Sequence, residues 1–426
     1  MNTAPPIGSR SRLVQQLHVA TELEHSLCCQ YLYAVFSLRR NSADYPEHLD
    51  RERVELMMNA TGRWATDIFA VAREEMEHLA IATNMLSAIN EPPHLTHHDY
   101  PDQGLEPILG APLVLERCNL DTLRRFQFFE RPKGLEGAKT PAVEAIYLEI
   151  KSLFQTLQPA SELFTGDGLR QLDPTDFELG VSMKVLPVTS RATAVQAVAL
   201  ILEQGEGLGE LATATDSHFA RYTATIQDYE QVVNSLKIEP SLPVVTNPVS
   251  HPAADGRVPA GATLVTNQFS AALMDLFNEG YRLMLVMLRQ FLWGFRGYSG
   301  MFEAVEAIKT PKQIAAERLV TMLGENAYFP MMTMFIRPIG ELLTRQPAFA
   351  DVGDPARAGA SFQTGDSIPA WTEVRPYVDA LDALATQAQR LATDAPNRSV
   401  ANALTYLYQN LSRMRMNILN VSNHGR

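Results

Sequence analysis

The sequence predicts an all-α protein in which one helical bundle is followed by a second helical half. Apolar residues recur at three- and four-residue spacing in nine segments, patterns typical of strands are almost absent, and Pro and Gly mark the connections. The predicted helical segments lie near residues 10–40, 63–90, 141–158, 191–206, 215–235, 268–294, 311–345, 371–393 and 398–420.

The domain organisation is predicted from length and from one break in the helical pattern. A chain of 426 residues can bury a large core and is long enough for two or three domains, of which we predict two. Residues 238–262 hold five prolines together with Gly256 and Gly261, and we interpret them as a linker. We therefore expect a first bundle over residues 1–237 and a second helical domain over 263–426 that packs on it.

The charge balance restricts the class of partner. The chain has 36 Lys and Arg against 48 Asp and Glu, for a net charge of −12, and no basic cluster longer than a pair. This argues against nucleic acid and against an anionic membrane surface, and favours a small-molecule substrate or a protein partner. The start MNTAPPIGSRSR lacks the apolar stretch of a signal peptide, and no apolar run reaches the roughly 18 residues of a membrane span. We expect a cytoplasmic protein.

The cysteines predict packing rather than cross-links. Cys28, Cys29 and Cys118 make an odd number in a long chain, which fits a reducing compartment without a disulfide framework. The sequence contains no Cys-x-x-Cys motif and no Gly-rich nucleotide-binding loop.

The most informative motif is Glu75-x-x-His78 in the second predicted helix. Residues three and four apart share a helical face, so this pair lines up with apolar neighbours such as Val71, Leu79 and Ala82. Burying a carboxylate and an imidazole costs several kcal/mol unless each is paired or bound to a metal. Glu-x-x-His on an inner helix face is the ligand unit of di-iron and di-manganese carboxylate bundles. The alternative interpretation is a buried histidine that is hydrogen-bonded to a carboxylate without a metal.

The first predicted helix contributes a further carboxylate to the same core. Glu24 lies within a stripe of apolar residues that includes Leu17, Leu27 and Tyr31. A bundle that buries Glu24 with the Glu75–His78 pair needs positive charge, and a divalent cation supplies it. The same helix carries a second Glu-x-x-His, from Glu22 to His25, on a face shared with His18 and Cys29. We interpret that face as solvated or as an outer layer of the site.

Later helices offer further candidate ligands. The helix after residue 141 carries Glu149 at the edge of its apolar stripe, and Glu144 is the alternative on its other side. Glu203 and Glu206 follow a strongly apolar run, for which a solvated helix end is the alternative. His218 lies in the first turn of the next helix, where capping or packing is the alternative role.

Several blocks of sequence together resemble a known family. These are LEHSLCCQYLYA, REEMEHL, FQFFERP, the EQGEG turn followed by SHFARY, and VTNPV. They resemble the ferritin-like family that includes the ferritin-like portion of violacein and chromopyrrolate biosynthesis proteins, of the iminophenyl-pyruvate dimer synthase type. The match runs from about residue 10 to 250 and continues more loosely beyond 268.

The resemblance implies a ferritin-like bundle with a non-haem metal centre, and the family motifs match Glu24, Glu75 and His78. Glu203, Glu206 and His218 fall in the later blocks, and Glu149 is the choice for the third-helix carboxylate. The predicted metal ligands are therefore Glu24, Glu75, His78, Glu149, Glu203, Glu206 and His218. The chain departs from the usual pattern because Glu203-x-x-Glu206 stands where a second Glu-x-x-His is expected. The site therefore holds one metal or two.

The function that we predict is a non-haem iron oxidase or oxygenase for a small, amino-acid-derived molecule of secondary metabolism. Carboxylate and imidazole ligands suit iron that must bind dioxygen, with manganese as the alternative metal. Tyr31, beside Glu24, could line the pocket or relay electrons. The competing hypothesis is a non-catalytic metal-binding scaffold or an iron-handling protein. The methionine-rich second half also predicts a homodimer.

Overall fold

The computed structural model describes residues 8–97, 99–132, 143–166, 168–177, 183–206, 216–253, 255–295, 311–351, 353–365 and 367–424. Over these residues the prediction of an all-α fold is confirmed, since the strands β1 (Pro248–Val249) and β2 (Thr263–Leu264) pair over only two residues each. The helices are α1 (Arg10–Ser37), α2 (Arg51–Ala88), α3 (Glu106–Leu109), α4 (Leu120–Phe129), α5 (Val143–Thr156), α6 (Ala160–Leu163), α7 (Arg191–Glu206), α8 (His218–Leu236), α9 (Gln268–Trp293), α10 (Pro311–Leu323), α11 (Phe329–Met331), α12 (Arg337–Leu343), α13 (Val374–Thr393) and α14 (Arg398–His424).

Helices α1 and α2 form the central pair of the first half. Each is preceded by a capping residue, Ser9 for α1 and Asp50 for α2. The side chain of the capping residue accepts a hydrogen bond from a backbone N–H of the first turn. The two helices pack along each other, α5 lies on α1, and α8 lies on α2. Contacts of α4 with α8 and of α5 with α7 close the bundle around the inner faces of the central pair.

The second half covers the outer side of the same two helices. Helix α9 packs on α2 and α12 packs on α1, while α13 and α14 pair with each other against α9 and the helices around 324–343. The approach of α12 to α1 is close, because the Thr344 hydroxyl donates to the backbone carbonyl of Phe36 at 3.0 Å. The central pair is therefore buried from two sides.

Residues 311–343 form one continuous helical path with two wider turns. The π-helical turns Gly324–Tyr328 and Met332–Ile336 flank or precede prolines at 330 and 338, which remove backbone donors and clash with the preceding turn in a regular α-helix. Widening the helix accommodates these prolines without ending it.

The start of the predicted linker, residues 238–242, lies beside the end of α1. Leu242 donates its backbone N–H to the carbonyl of Ser37 at 2.8 Å, and Arg39 donates to the carbonyl of Pro240 at 2.8 Å. The backbone of this segment is thus tied to the first half at its start. Its role as a boundary between two domains stays a prediction.

No helix among the described residues is long and apolar enough to cross a membrane.

Replacing Gly340 by Ala should destabilise the protein, because a Cβ there would lie 2.4 Å from Cε2 of the buried Phe36 ring. Overpacking of this kind costs about 1–3 kcal/mol. The matched control is Gly62→Ala in α2, where no atom lies within 4 Å of the added Cβ and Ala favours a helix by about 0.5–1 kcal/mol. Denaturant midpoints would be compared by circular dichroism. A Gly340→Ala protein as stable as Gly62→Ala would show that the α1–α12 contact is not tightly packed.

Candidate metal centre

Five buried side chains from four elements of the first half converge on one point. They form two triads, Glu24–Glu75–His78 and Glu75–Glu130–His218, and within each triad the candidate ligand atoms lie within 4.8 Å of one another. Glu75 belongs to both triads. Its Oε2 lies 3.1 Å from Nδ1 of His78, and its Oε1 lies 3.2 Å from Nδ1 of His218. The carboxylate therefore lies between two imidazoles.

The remaining carboxylates flank the same two rings. Glu24 Oε2 lies 3.6 Å from His78 Nδ1, and Glu130 Oε2 lies 3.4 Å from His218 Nδ1. The two imidazole rings stack with their centroids 5.4 Å apart. Each half of the cluster thus has one imidazole, one carboxylate of its own and one oxygen of Glu75.

Local structure explains how each ligand reaches this point. Glu75 and His78 are three residues apart in α2 and share its inner face. Glu130 is the residue at which α4 ends, and His218 is the first residue of α8, directly after the capping residue Ser217. Two of the five ligands therefore lie at helix termini rather than inside a helical stripe.

Three hydrogen bonds from neighbouring side chains hold the ligands in place. The hydroxyl of Tyr147 in α5 donates to Glu24 Oε1, and the hydroxyl of Tyr31 in α1 donates to Glu130 Oε1. His218 Nε2 lies 3.0 Å from Glu74 Oε2, so the ring nitrogen that faces away from the centre has its own carboxylate partner. Outer partners of this kind orient a metal ligand and fix its tautomer.

The electrostatics of the centre favour added positive charge. Burial, together with the charge of Glu75, raises the pKa of Glu24 to about 7. Burial by itself would lower the pKa of His78, but its hydrogen bonds with Glu24 and Glu75 raise that pKa to about 10. The pKa of His218 is likewise raised well above its ordinary value, because the charges of Glu75 and Glu130 outweigh burial. Protons and metal cations compete for the same atoms.

The donor set fits a divalent metal ion. His78 Nε2, Glu75 Oε1 and His218 Nδ1 are buried and make no hydrogen bond to protein, although buried polar atoms normally do. Carboxylate and imidazole donors suit iron and manganese, and a Glu-x-x-His pair with carboxylates from other helices is the ligand pattern of di-metal bundles. A small void of about 20 Å³ adjoins Glu24, Glu75, His78 and Glu130, which is space on the scale of one water molecule.

The structure brings together most of the ligands that the sequence predicted and corrects others. Glu24, Glu75, His78 and His218 meet at the centre, and Tyr31 contacts it through Glu130. Glu149 is corrected, because its carboxylate accepts hydrogen bonds from Arg12 at 2.6 and 2.9 Å and lies outside both triads. Tyr147, two residues earlier, faces Glu24 instead.

The two predicted ligands in α7 have different outcomes. Glu203 is exposed to solvent, whereas both triads are buried, so its assignment as a ligand is corrected as well. The buried residue at this end of α7 is Gln204, which donates to Glu77 at 3.0 Å. Glu206 ends α7, and its side chain lies outside the described residues.

Glu130 is the ligand that sequence reasoning missed. It follows directly after the buried Phe126 and Phe129 of a short amphipathic helix, in the block FQFFERP. Its position one residue beyond an apolar stripe was the sequence signal that could have identified Glu130 as a candidate ligand. Sequence reasoning also missed Glu74, the residue before Glu75. Its contact with His218 depends on the position of α8, which local spacing does not report.

The face of α1 that carries the second Glu-x-x-His is only partly solvated, because Glu22 and His18 are half-buried. His25 and Cys29 are buried beneath α9, where both contact the hydroxyl of Tyr281, and His97 packs on His25. The solvated interpretation is wrong for His25 and Cys29, because the residues that cover them are distant in the sequence.

A cavity of about 570 Å³ lies between the central pair and the second half. Its wall is mostly apolar and includes aromatic and methionine side chains from α2, α9 and the helices around 324–336. Cys28 and Ala72, each one turn away from a ligand, also line it, and the thiol of Cys28 lies 3.5 Å from the carbonyl oxygen of Ala72. The cavity and the metal centre therefore lie on two sides of α1 and α2, with Cys28 and Ala72 between them.

Comparison with known proteins gives one family match and two curated relatives. Residues 17–227 match a family model described as Ferritin-like, which confirms the resemblance predicted from the motif blocks. Dichlorochromopyrrolate synthase of Lentzea aerocolonigenes is 28% identical over 405 residues, which is 86% of this chain and 37% of that protein. The 2-imino-3-(indol-3-yl)propanoate dimerase of Chromobacterium violaceum is 26% identical over 402 residues, 89% of this chain and 36% of that protein. The chain spans little more than a third of the length of these relatives.

Among solved structures, a crystal structure described as a ferritin-like protein from Caulobacter vibrioides covers 75% of this chain and 96% of its own. The TM-score is 0.42 and the sequence identity is 18%.

Metal binding should release protons from the metal-free protein. His78, with its pKa raised to about 10, and His218 hold protons at pH 7, and an imidazole must lose its proton to bind a metal. Calorimetric titration of chelator-treated protein with Mn²⁺, in two buffers of different ionisation enthalpy, should yield about two protons released per chain. The apparent affinity should fall as the pH falls. His218→Ala should remove about one of these protons, and a heat independent of the buffer would contradict the assignment.

Proposed function

We propose that the protein, whose residues 17–227 form a ferritin-like domain, is a non-haem iron oxidase or oxygenase that uses dioxygen to oxidise a small amino-acid-derived molecule. The observation that carries the proposal is the shared position of Glu75. One buried carboxylate contacts two imidazoles, and each imidazole has a further carboxylate of its own. These five side chains would provide donors for up to two metal ions, and Glu75 belongs to both triads.

The ligands that would hold the metal are Glu24, Glu75, His78, Glu130 and His218. Bound iron would supply the redox chemistry that activates dioxygen, and carboxylate with imidazole is a donor set that suits it. Manganese fits the same donors.

The side chains around the ligands would keep the centre ordered during the reaction. Glu74 accepts a hydrogen bond from His218 and forms an ion pair with Arg221 at 3.1 Å. This ion pair fixes the carboxylate that orients the His218 imidazole. Tyr31 is fully buried, and its hydroxyl donates a hydrogen bond to Glu130. Tyr31 is the candidate electron relay of the centre, because Glu130 would accept its phenol proton if bound iron, oxidised by dioxygen, took an electron from the ring.

The cavity across α1 and α2 is the proposed substrate site. Its volume of about 570 Å³ is within the range of pockets that bind small organic molecules, and its wall is apolar with aromatic rings. Cys28 and Ala72 line this cavity, and each lies one helical turn from a residue of the centre, so a bound substrate would lie close to the metal ligands. The dimerase that resembles this chain is named for an indole-bearing imino acid, and an aromatic amino-acid-derived acid suits this wall.

Two arginines would hold the acid group of such a substrate. Arg40 and Arg337 line the cavity beside Phe69, and the Arg337 guanidinium lies 4.5 Å from the centroid of that ring. Both pair with the single carboxylate of Glu341, which leaves one positive charge uncompensated within this group. A guanidinium binds a carboxylate through two parallel hydrogen bonds.

The first prediction concerns metal content. Protein purified without chelator, or reconstituted anaerobically with Fe(II), should hold about two metal ions per chain, measured by mass spectrometry. His78→Ala and Glu130→Gln should each lose about half of the metal or more, because each removes a buried ligand from one triad. Glu149→Gln and Glu203→Gln are matched controls and should keep the wild-type content, because Glu149 pairs with Arg12 and Glu203 is exposed. Wild-type protein without metal after reconstitution would overturn the proposal.

The second prediction concerns the substrate site. Indole-3-pyruvate, used as a probe, should bind the metal-loaded protein, and Arg337→Ala should weaken binding about 10-fold through loss of a charged hydrogen bond. The matched control is Arg375→Ala, because Arg375 is likewise paired four residues on, with Asp379, but lies away from the cavity. Metal binding without probe binding would favour a non-catalytic scaffold. Equal effects of the two substitutions would exclude the arginine contact.

A further inference from the structure

We propose that His25, Cys29 and His97 form a second metal site, separate from the carboxylate centre, that binds one borderline-soft divalent ion of the zinc class at the wall of the cavity. This site does not depend on the proposed oxidase function. It is carried by the geometry of three buried ligands, by their chemistry and by their position beside an open volume.

The three side chains meet in a pattern that a metal requires. One ligand atom from each lies within 4.8 Å of the other two. His25 and Cys29 are four residues apart on α1 and share a face, while His97 comes from the segment that follows α2. The rings of His25 and His97 lie with centroids 4.8 Å apart. At 4%, 2% and 6% exposure, none of the three is available to bulk solvent.

The polar contacts of the group support a ligand at this point. The hydroxyl of Tyr281 contacts His25 Nε2 and lies 3.0 Å from Cys29 Sγ. An outer partner of this kind orients metal-binding side chains. The other ring nitrogen of His25, Nδ1, is buried and has no partner in good hydrogen-bond geometry, although the backbone of Leu95 lies near this ring. A buried nitrogen without a partner is costly unless something binds it.

The donor set distinguishes this site from the first one. Two imidazoles with a thiol are the ligands of zinc, whereas the carboxylate-rich centre suits iron and manganese. Glu24 and His25 are adjacent in α1, and a helix turns by 100° per residue, so the two sites lie on different faces of the same helix. Three protein ligands leave one position of a tetrahedral ion open. His25 and Cys29 line the cavity, so that position lies beside the proposed substrate volume.

The test uses Co²⁺ as a spectroscopic probe for the zinc class. Reduced, chelator-treated full-length protein is titrated with Co²⁺ under anaerobic conditions. A thiolate ligand gives a charge-transfer band in the near ultraviolet, which Co²⁺ bound by the carboxylate centre alone does not produce. We expect this band to reach a plateau that corresponds to one thiolate-bound Co²⁺ per chain, and to be abolished by added Zn²⁺, which replaces Co²⁺ in such sites.

Variants assign the band to its ligands. Cys29→Ser should abolish it, and His97→Gln should weaken Co²⁺ binding by about 10-fold or more. The matched control is Cys28→Ser, the adjacent buried cysteine that lines the same cavity outside the triad. Glu130→Gln should also keep the band, so a failure of the carboxylate centre is distinguishable from a failure of this site. Circular dichroism confirms that each variant is folded.

The proposal is overturned if wild-type protein gives no thiolate band, a result that depends on no variant. It is also overturned if the band is lost in Cys28→Ser and retained in Cys29→Ser, or if folded His97→Gln binds Co²⁺ as tightly as wild type.

Discussion

The burial of the Glu75 carboxylate between two imidazoles is the constraint on which the first half of the molecule depends. A carboxylate removed from water costs on the order of several kcal/mol unless charge and hydrogen bonds compensate it. His78 supplies compensation from the same helix, and His218 supplies it from α8. The protein therefore has to hold α8 in one position relative to α2, since a displacement of α8 would remove His218 from the buried Glu75 carboxylate.

The packing of the bundle meets this requirement with apolar contacts around a polar centre. The core on the inner faces of α1 and α2 includes side chains such as Leu27 and Ile68, which are at most 1% exposed. Tyr31 and Tyr147 surround the centre with further polar contacts. The hydroxyl of each donates a hydrogen bond to a carboxylate of the centre, while its ring packs among apolar side chains. The centre is thus buried and its side chains are held by hydrogen bonds, which suits the proposed metal site.

The central pair of helices serves two environments at once. Its inner side carries the carboxylate centre, and its outer side forms the wall of the large cavity together with α9 and the helices of residues 311–343. The wider helical turns around Pro330 and Pro338 belong to that wall, so irregular backbone and methionine side chains lie where a cavity is needed rather than a close-packed core. The second half therefore contributes both to the wall of this cavity and to the burial of His25 and Cys29, through Tyr281 of α9.

The sequence by itself determined the helical fold and the ligands that obey local helical geometry. Spacing of three and four residues identified Glu24, Glu75 and His78, since periodicity reports which residues share a face. Only the tertiary structure decided which faces meet. Arg12 forms an ion pair with Glu149 and so neutralises its carboxylate. Glu130 reaches the centre from the end of a different helix, and α9 of the distant second half covers His25. These contacts join residues far apart in the chain, and their energies depend on packing that no local pattern encodes.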